Sequence, residues 1–337
     1  MDVDTKRRAL VGAILGGVAT GSALSPVRSY LRRFAPLSGS AWRSATDRPQ
    51  GTVESPHGPA TLRYDDHGVP NVSADDERAL YFAVGYAQAR DRLFQLDLQR
   101  RLMRGELSAV VGDAAFESDE FHVKMDFAGA AAATWRHLRG TDTAPVVRAF
   151  ADGVNAYVEN EPLPLEFGLL SYEPAEWTPT DSLLMEKQIS WELTGSFRTL
   201  RRATVAEKLG AAAARELYPA RLDHDAPIVR DGGDAGTAAR EPPPDRAVGN
   251  DLVDWLADFE SDPGVGSNSW VVSGEHTASG DPIVANDPHL SLMAPPVWYE
   301  MNLRAGDDGV RGVTFPGVPF VVIGENDAGA WGFTNTG

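Results

Sequence analysis

The chain has 337 residues, 42% apolar and 23% charged, which suffices for about two domains with a buried core and is too polar for a multi-span membrane protein. It has no cysteine, which excludes a disulfide framework, a thiolate metal site, an iron–sulfur centre and a cysteine nucleophile; any nucleophile must be oxygen or nitrogen. With 48 acidic residues against 31 basic, the net charge is −17, and a nucleic acid duplex would be repelled. Only four of the basic residues are lysines (Lys6, Lys124, Lys187 and Lys208). Such a composition is expected of a halophilic, archaeal host, where salt screens the self-repulsion; an ordinary acidic protein from a GC-rich genome is the alternative.

Lys6-Arg7-Arg8 precedes a charge-free stretch, residues 9–27, with small residues near its end. Residues 1–30 therefore read as an export signal of twin-arginine kind, or as an uncleaved anchor associating with a membrane; either places the remainder outside the cytoplasm. Ala60 to Tyr64 reads as a short strand, closed by the turn Asp65-Asp66-His67-Gly68-Val69-Pro70. From Glu77 to Leu107 the apolar Leu80, Val84, Ala87, Leu93, Leu96 and Met103 recur at helical spacing. Further helices are expected over Pro145–Val158 and Asp181–Leu209, so that residues 45–222 form a mainly helical region.

Residues 223–266 are rich in Asp, Gly and Pro and read as a flexible spacer, with one short amphipathic piece over Leu252–Phe259. After it, Ser267–Ser273, Pro282–Asn286, Val297–Arg304, Val310–Phe315, Phe320–Gly324 and Ala330–Thr334 read as successive strands. The period changes from helix to sheet, giving an α+β chain.

Gly266-Ser267 stands where the spacer meets the first of these strands. A turn at Thr277-Ala278-Ser279-Gly280, centred between Ala278 and Ser279, would set Ser267 opposite Leu290 and bring His289 within about a residue of the serine. Without its surroundings Ser267 merely starts a strand, and a histidine at a strand end is commonly structural.

The surroundings are specific. Gly266-Ser267-Asn268-Ser269-Trp270, Asn286-Asp287-Pro288-His289-Leu290, Gly317-Val318-Pro319-Phe320 and Ala330-Trp331-Gly332-Phe333-Thr334-Asn335-Thr336 follow one another in order. Upstream stand His67-Gly68-Val69-Pro70, the run Gly85-Tyr86-Ala87-Gln88-Ala89-Arg90-Asp91-Arg92-Leu93-Phe94-Gln95, Asp152-Gly153-Val154-Asn155-Ala156-Tyr157 and Trp177-Thr178-Pro179. From about Val53 onward the chain resembles the penicillin acylase family of N-terminal-nucleophile (Ntn) hydrolases.

The resemblance implies a self-processing amide hydrolase, small and large subunits cut from one precursor, and an αββα sandwich of which residues 267–337 hold the opening strands. Ser267 would attack the Gly266 carbonyl, freeing an α-amine that then serves as the base for the same serine. His289 would orient that serine or its amine. One oxyanion donor would be the backbone N–H of Asn335, or of Gly337 if the alignment slips; the second is an asparagine that relatives carry further downstream. Relatives continue well past this point, so residues 1–337 alone are expected to show no hydrolysis, and a truncated, non-catalytic exported domain is the opposing reading. The substrate would be a small acylated amide: a penicillin, a cephalosporin-like compound or an N-acyl homoserine lactone. Trp270 and Leu290 are candidates to line an apolar acyl pocket, with plain core as their alternative. Asp91, Arg92 and Trp177 read as packing or ion-pairing groups. No cofactor is expected; calcium occurs in the family, but Thr199 or Leu200 stands where relatives place an acidic ligand, so no metal is expected.

The acidic composition makes one prediction. As sodium chloride falls from molar to ~0.1 M, where the screening length grows to about 10 Å, the melting temperature should drop. Equal melting temperatures at both concentrations would remove the halophile reading.

Overall fold

The computed structural model describes residues 50–194, 198–219, 266–290 and 292–334, with the single positions 39, 255, 256 and 259. The expected export signal or anchor (residues 1–30), most of residues 223–266, and Asn335 and Gly337 lie outside the described residues. The chain divides into two compact units, Met1–Gln188 with Asn268–Thr334, and Ile189–Ser267 with Asn335–Gly337.

The first unit is α+β. Strands β1 (Gly51–Ser55), β2 (Gly58–Tyr64) and β3 (Pro70–Ala74) lead into helix α1 (Glu77–Arg104). Short helices α2 (Ser108–Val111), α3 (Phe116–Met125) and α4 (Phe127–Leu138) precede α5 (Ala144–Asn160), α6 (Leu165–Leu170) and α7 (Pro179–Thr194), of which the residues from Ile189 onward belong to the second unit. After the spacer come β4 (Gly266–Val272), β5 (Ile283–His289), β6 (Tyr299–Ala305), β7 (Asp308–Thr314), β8 (Ile323–Asn326) and β9 (Gly329–Trp331). Seven strands form one sheet in the order β1-β2-β3-β6-β7-β8-β9, while β4 and β5 form a separate ribbon. In the second unit, α8 (Arg198–Leu209) and α9 (Ala211–Leu217) pack on each other.

The sheet joins what the sequence separates. β3 pairs parallel with β6, Val72 opposite Leu303 and Asn71 opposite Asn302, so the strands before the helices and those after the spacer share one hydrogen-bonded ladder. Neither β1 nor β3 is legible in the sequence: β3 reads Pro70-Asn71-Val72-Ser73-Ala74, with a proline at its first residue, where a strand tolerates it. Two faces follow from the period of two. Leu62, Val72, Leu303 and Val310 align across four strands on the core side, and Arg63, Asn71, Asn302, Arg311 and Glu325 align across five strands on the other. That second row is bonded within itself, Asn302 Nδ2 donating to Asn71 Oδ1 at 3.1 Å and Arg311 Nε to Glu325 Oε1 at 2.6 Å.

Helix α1 packs on β1, β2, β3 and β6 and also along α5. All six residues expected on its apolar stripe are buried. Asp76 caps its start, accepting from the N–H groups of Arg78 and Ala79, and Gly105 at φ 70° closes it, with Glu106 N–H donating to Arg101 O at 2.8 Å. The crossing with α5 is made by two glycines. A Cβ on Gly85 would overlap the Phe150 carbonyl, and one on Gly153 would overlap the Phe82 carbonyl, so each helix needs the other's missing side chain. The single helix expected over Asp181–Leu209 is two, α7 and α8, with residues 195–197 between them outside the described set. The strand expected at Phe320–Gly324 starts later, at Ile323. Phe315 to Val322 is instead a loop, held by Val318 N–H to Phe315 O and by an edge-on contact of Phe320 with Tyr81.

Gly85→Ala and Gly153→Ala should each lower the unfolding free energy by about 1–3 kcal/mol, because the backbones cannot part without losing the packing behind them. Denaturant melts of the two variants check this.

Candidate active site

Four of the sequence motifs meet around α1. Gln88, buried on the helix, accepts from Gly317 N–H at 2.8 Å and donates to Val318 O at 3.0 Å, holding the Gly317-Val318-Pro319-Phe320 loop. Gly317, at φ 94°, lies against the Trp177 ring, where a Cβ would come within 3.2 Å. Asn155 in turn brackets the Trp177 peptide, accepting from its N–H at 2.7 Å and donating to its carbonyl at 2.9 Å. Trp177 is buried, donates Nε1–H to Ser182 Oγ, and lies under the Arg100 guanidinium. One turn along α1, Arg92 and Gln95 both donate to Pro296 O. The polar residues on this helix thus set the loops on either side of β6 and β7. A polar face within an apolar stripe was the available sign.

Asp91 is a carboxylate shared by three elements. Its Oδ2 accepts from Tyr299 OH at 2.8 Å and Tyr64 OH at 3.1 Å, tying α1 to β6 and β2, while Arg90 lies over the Tyr64 ring and 3.7 Å from Asp91 Oδ1. Burial raises the Asp91 carboxyl above its ordinary range; the two phenols and Arg90 pull the other way and do not overcome it. Burial beside that carboxylate also raises the Tyr64 and Tyr299 phenols.

The residues expected to do chemistry lie mostly on the ribbon. Gly266 and Ser267 are the first two residues of β4, both half-buried, and the space where a Gly266 side chain would stand is open to 4 Å. The reversal from β4 to β5 is longer than the expected tight turn: Ser273 to Pro282 include a 3-10 turn at Gly274–His276, and Thr277 Oγ1 bonds both Gly274 O and Asp281 O. The register shifts with it. Asn286 donates to Asn268 O at 3.3 Å, where the expected register puts Asn286 opposite Val271. His289 ends β5, and its Nε2 lies 3.1 Å from Asp287 Oδ2, two residues back on the same strand face. The partner seen for the histidine is thus this carboxylate. Leu290 is half-buried just beyond the strand. Trp270 is 54% exposed and its neighbour Val271 67%, so Trp270 is not core.

Asn335 and Gly337 lie outside the described residues, as do the side chains of Thr199 and Leu200. Among the described residues no cluster of three or more His, Asp or Glu could hold a metal ion, and no helix is long and apolar enough to cross a membrane.

A family model described as penicillin amidase matches residues 59–337. The chain belongs to the penicillin amidase family. Among its relatives, penicillin acylase 2 proenzyme from Pseudomonas sp. strain SE83 is 31% identical over 270 residues, 77% of this chain and 34% of that one. Acyl-homoserine lactone acylase QuiP from Pseudomonas aeruginosa is 29% identical over 286 residues, 81% of this chain and 33% of its own. Penicillin G acylase from Escherichia coli is 24% identical over 322 residues, 80% of this chain and 38% of that. The chain therefore spans about a third of the length of the relatives it matches. Among solved structures, a thermostable penicillin G acylase from Alcaligenes faecalis matches with a TM-score of 0.42 and 28% identity, over 52% of this chain and 97% of that chain.

The raised Asp91 carboxyl fixes the sign of a pH effect. The folded chain binds this proton more readily than the unfolded one, so the group's contribution to stability grows as pH falls through its raised pKa, levelling below the ordinary 3.8. Lowering pH from neutrality should therefore shift the unfolding free energy of the wild type upward relative to Asp91→Asn. Parallel pH profiles of the two would contradict this.

Proposed function

We propose that this chain carries the nucleophile of an exported, self-processing amide hydrolase that removes the acyl group from a small acylated amide. The observation that carries the reading is Gly266-Ser267 at the head of β4, within a family match that continues through every downstream motif. The relatives named penicillin acylase and acyl-homoserine lactone acylase support the class of substrate. The name proenzyme borne by one of them supports maturation by cleavage.

The bonds that change in maturation lie at that junction. Ser267 Oγ attacks the Gly266 carbonyl carbon, the Gly266–Ser267 C–N bond breaks, and the freed nitrogen takes the hydroxyl proton. Water then hydrolyses the resulting ester, leaving a Gly266 carboxylate and a serine with a free α-amine. Gly266 suits the first step because no side chain shields its carbonyl. An α-amine titrates near ~7.7–8.0, so at neutral pH a useful fraction is unprotonated and can accept the Ser267 hydroxyl proton.

In turnover the serine adds to the substrate amide, the oxyanion is met by the N–H of Asn335 and a second donor, and the amine returns its proton to the leaving nitrogen. Water resolves the acyl-enzyme by the same route in reverse. His289, itself held by Asp287, serves to orient the serine end of the strand. The acyl pocket is apolar. Localisation outside the cytoplasm rests on Lys6-Arg7-Arg8 and the charge-free residues 9–27.

The full-length gene product should appear by intact mass as two pieces, one ending at Gly266 and one beginning at Ser267, and should release 4-nitroaniline from phenylacetyl or decanoyl 4-nitroanilide. Ser267→Ala should remain one chain and be inactive. Two pieces in that variant would assign the cut to another protease.

A further inference from the structure

The side chain of Asn286 makes three hydrogen bonds to backbone on two other segments. Nδ2 donates to Asn268 O on β4 at 3.3 Å and to Phe333 O at 2.9 Å, and Oδ1 accepts from Phe333 N–H at 3.3 Å. Toward Phe333 the amide offers one donor and one acceptor, as a neighbouring strand would, so β5 holds the segment after β9 without a ladder. Contact is close enough to restrict the sequence there: a Cβ on Gly332 would come 2.7 Å from Asn286 Cβ and 2.8 Å from Cγ. Gly332 has no side chain for this reason; its φ is not in the left-handed region.

The two backbones tied by this amide are those that matter in the proposed reaction. Asn268 follows Ser267 directly, and Phe333 stands two residues before Asn335. We propose that Asn286 is a positioning residue that latches the strand following the nucleophile to the segment leading to the oxyanion donor, holding Asn268 and Phe333 at one fixed separation. This rests on the assignment of Ser267 and Asn335 above. Asn286 touches neither substrate nor reacting atoms; it acts through two peptides. An oxyanion donor displaced by about 1 Å forfeits much of its effect on the transition state and little on the bound substrate, so the cost should fall on kcat.

The test uses the full-length protein with the two nitroanilides. Asn286→Ala should lower kcat about 10²-fold while leaving KM within about twofold. Gly332→Ala, which keeps every hydrogen-bonding group and pushes the same contact apart from the other side, should do the same. Because both break one latch, the double variant should be no slower than the slower single, whereas two unrelated structural lesions would multiply to about 10⁴. Retention of kcat within threefold in Asn286→Ala, a rise in KM at unchanged kcat, or multiplying effects would overturn the latch. Should Asn286→Ala not fold, Gly332→Ala alone decides, with kcat retained counting against the proposal. Ser267→Ala separates the two levels: if it still turns over, the nucleophile assignment fails, and if it is dead while Asn286→Ala is normal, the latch alone fails.

Discussion

The crossing of α1 and α5 is the constraint on which the larger unit depends. Two helices approach backbone to backbone only where side chains are missing on both, and Gly85 and Gly153 supply that reciprocally. With α5 drawn in, α1 keeps one side against the sheet and turns its polar residues toward the loops around β6 and β7. A wider spacing would move Gln88, Arg92 and Gln95 away from the carbonyls they meet. The loop positions therefore depend on a contact several residues distant in α1.

Carboxamide side chains take up where strands stop. Gln88 meets Gly317 and Val318, Asn155 brackets Trp177, and Asn286 brackets Phe333, each offering a donor and an acceptor to backbone that has no ladder partner there. A buried peptide group left unpaired costs about 1–3 kcal/mol, so such bonds are needed wherever a loop is packed rather than solvated. They also fix a loop in one place without extending a sheet, which suits segments that must present backbone groups to a ligand. Asp91 does comparable work with two phenols, joining α1 to β2 and β6 through one carboxylate oxygen.

The family match and the order of motifs make an amide hydrolase the natural reading, and the chemistry asked of the chain is modest. A serine whose own amine is its base needs no second catalytic side chain to activate it, only accurate placement of the strand it heads. Asp287 and His289 are held side chain to side chain at the end of β5, and Glu275 and His276 in the reversal before it.

The sequence by itself determined much of this. Spacing located α1 and α5 and the buried stripe of α1, because an amphipathic helix writes its period over many residues. Motif order located the family, because it depends on residue types in succession, and the change of period located the passage from helices to strands. Tertiary structure decided what depends on partners far along the chain. The short polar β3 became central only by pairing with β6, more than two hundred residues later. The reversal after β4 took a 3-10 turn instead of a tight one, and the Asn286 side chain meets Asn268 O, where a tight turn would have set His289 opposite Asn268. A strand's register is set by the geometry of its turn, and an asparagine's role by which peptides fold within its reach; neither is written in the local sequence.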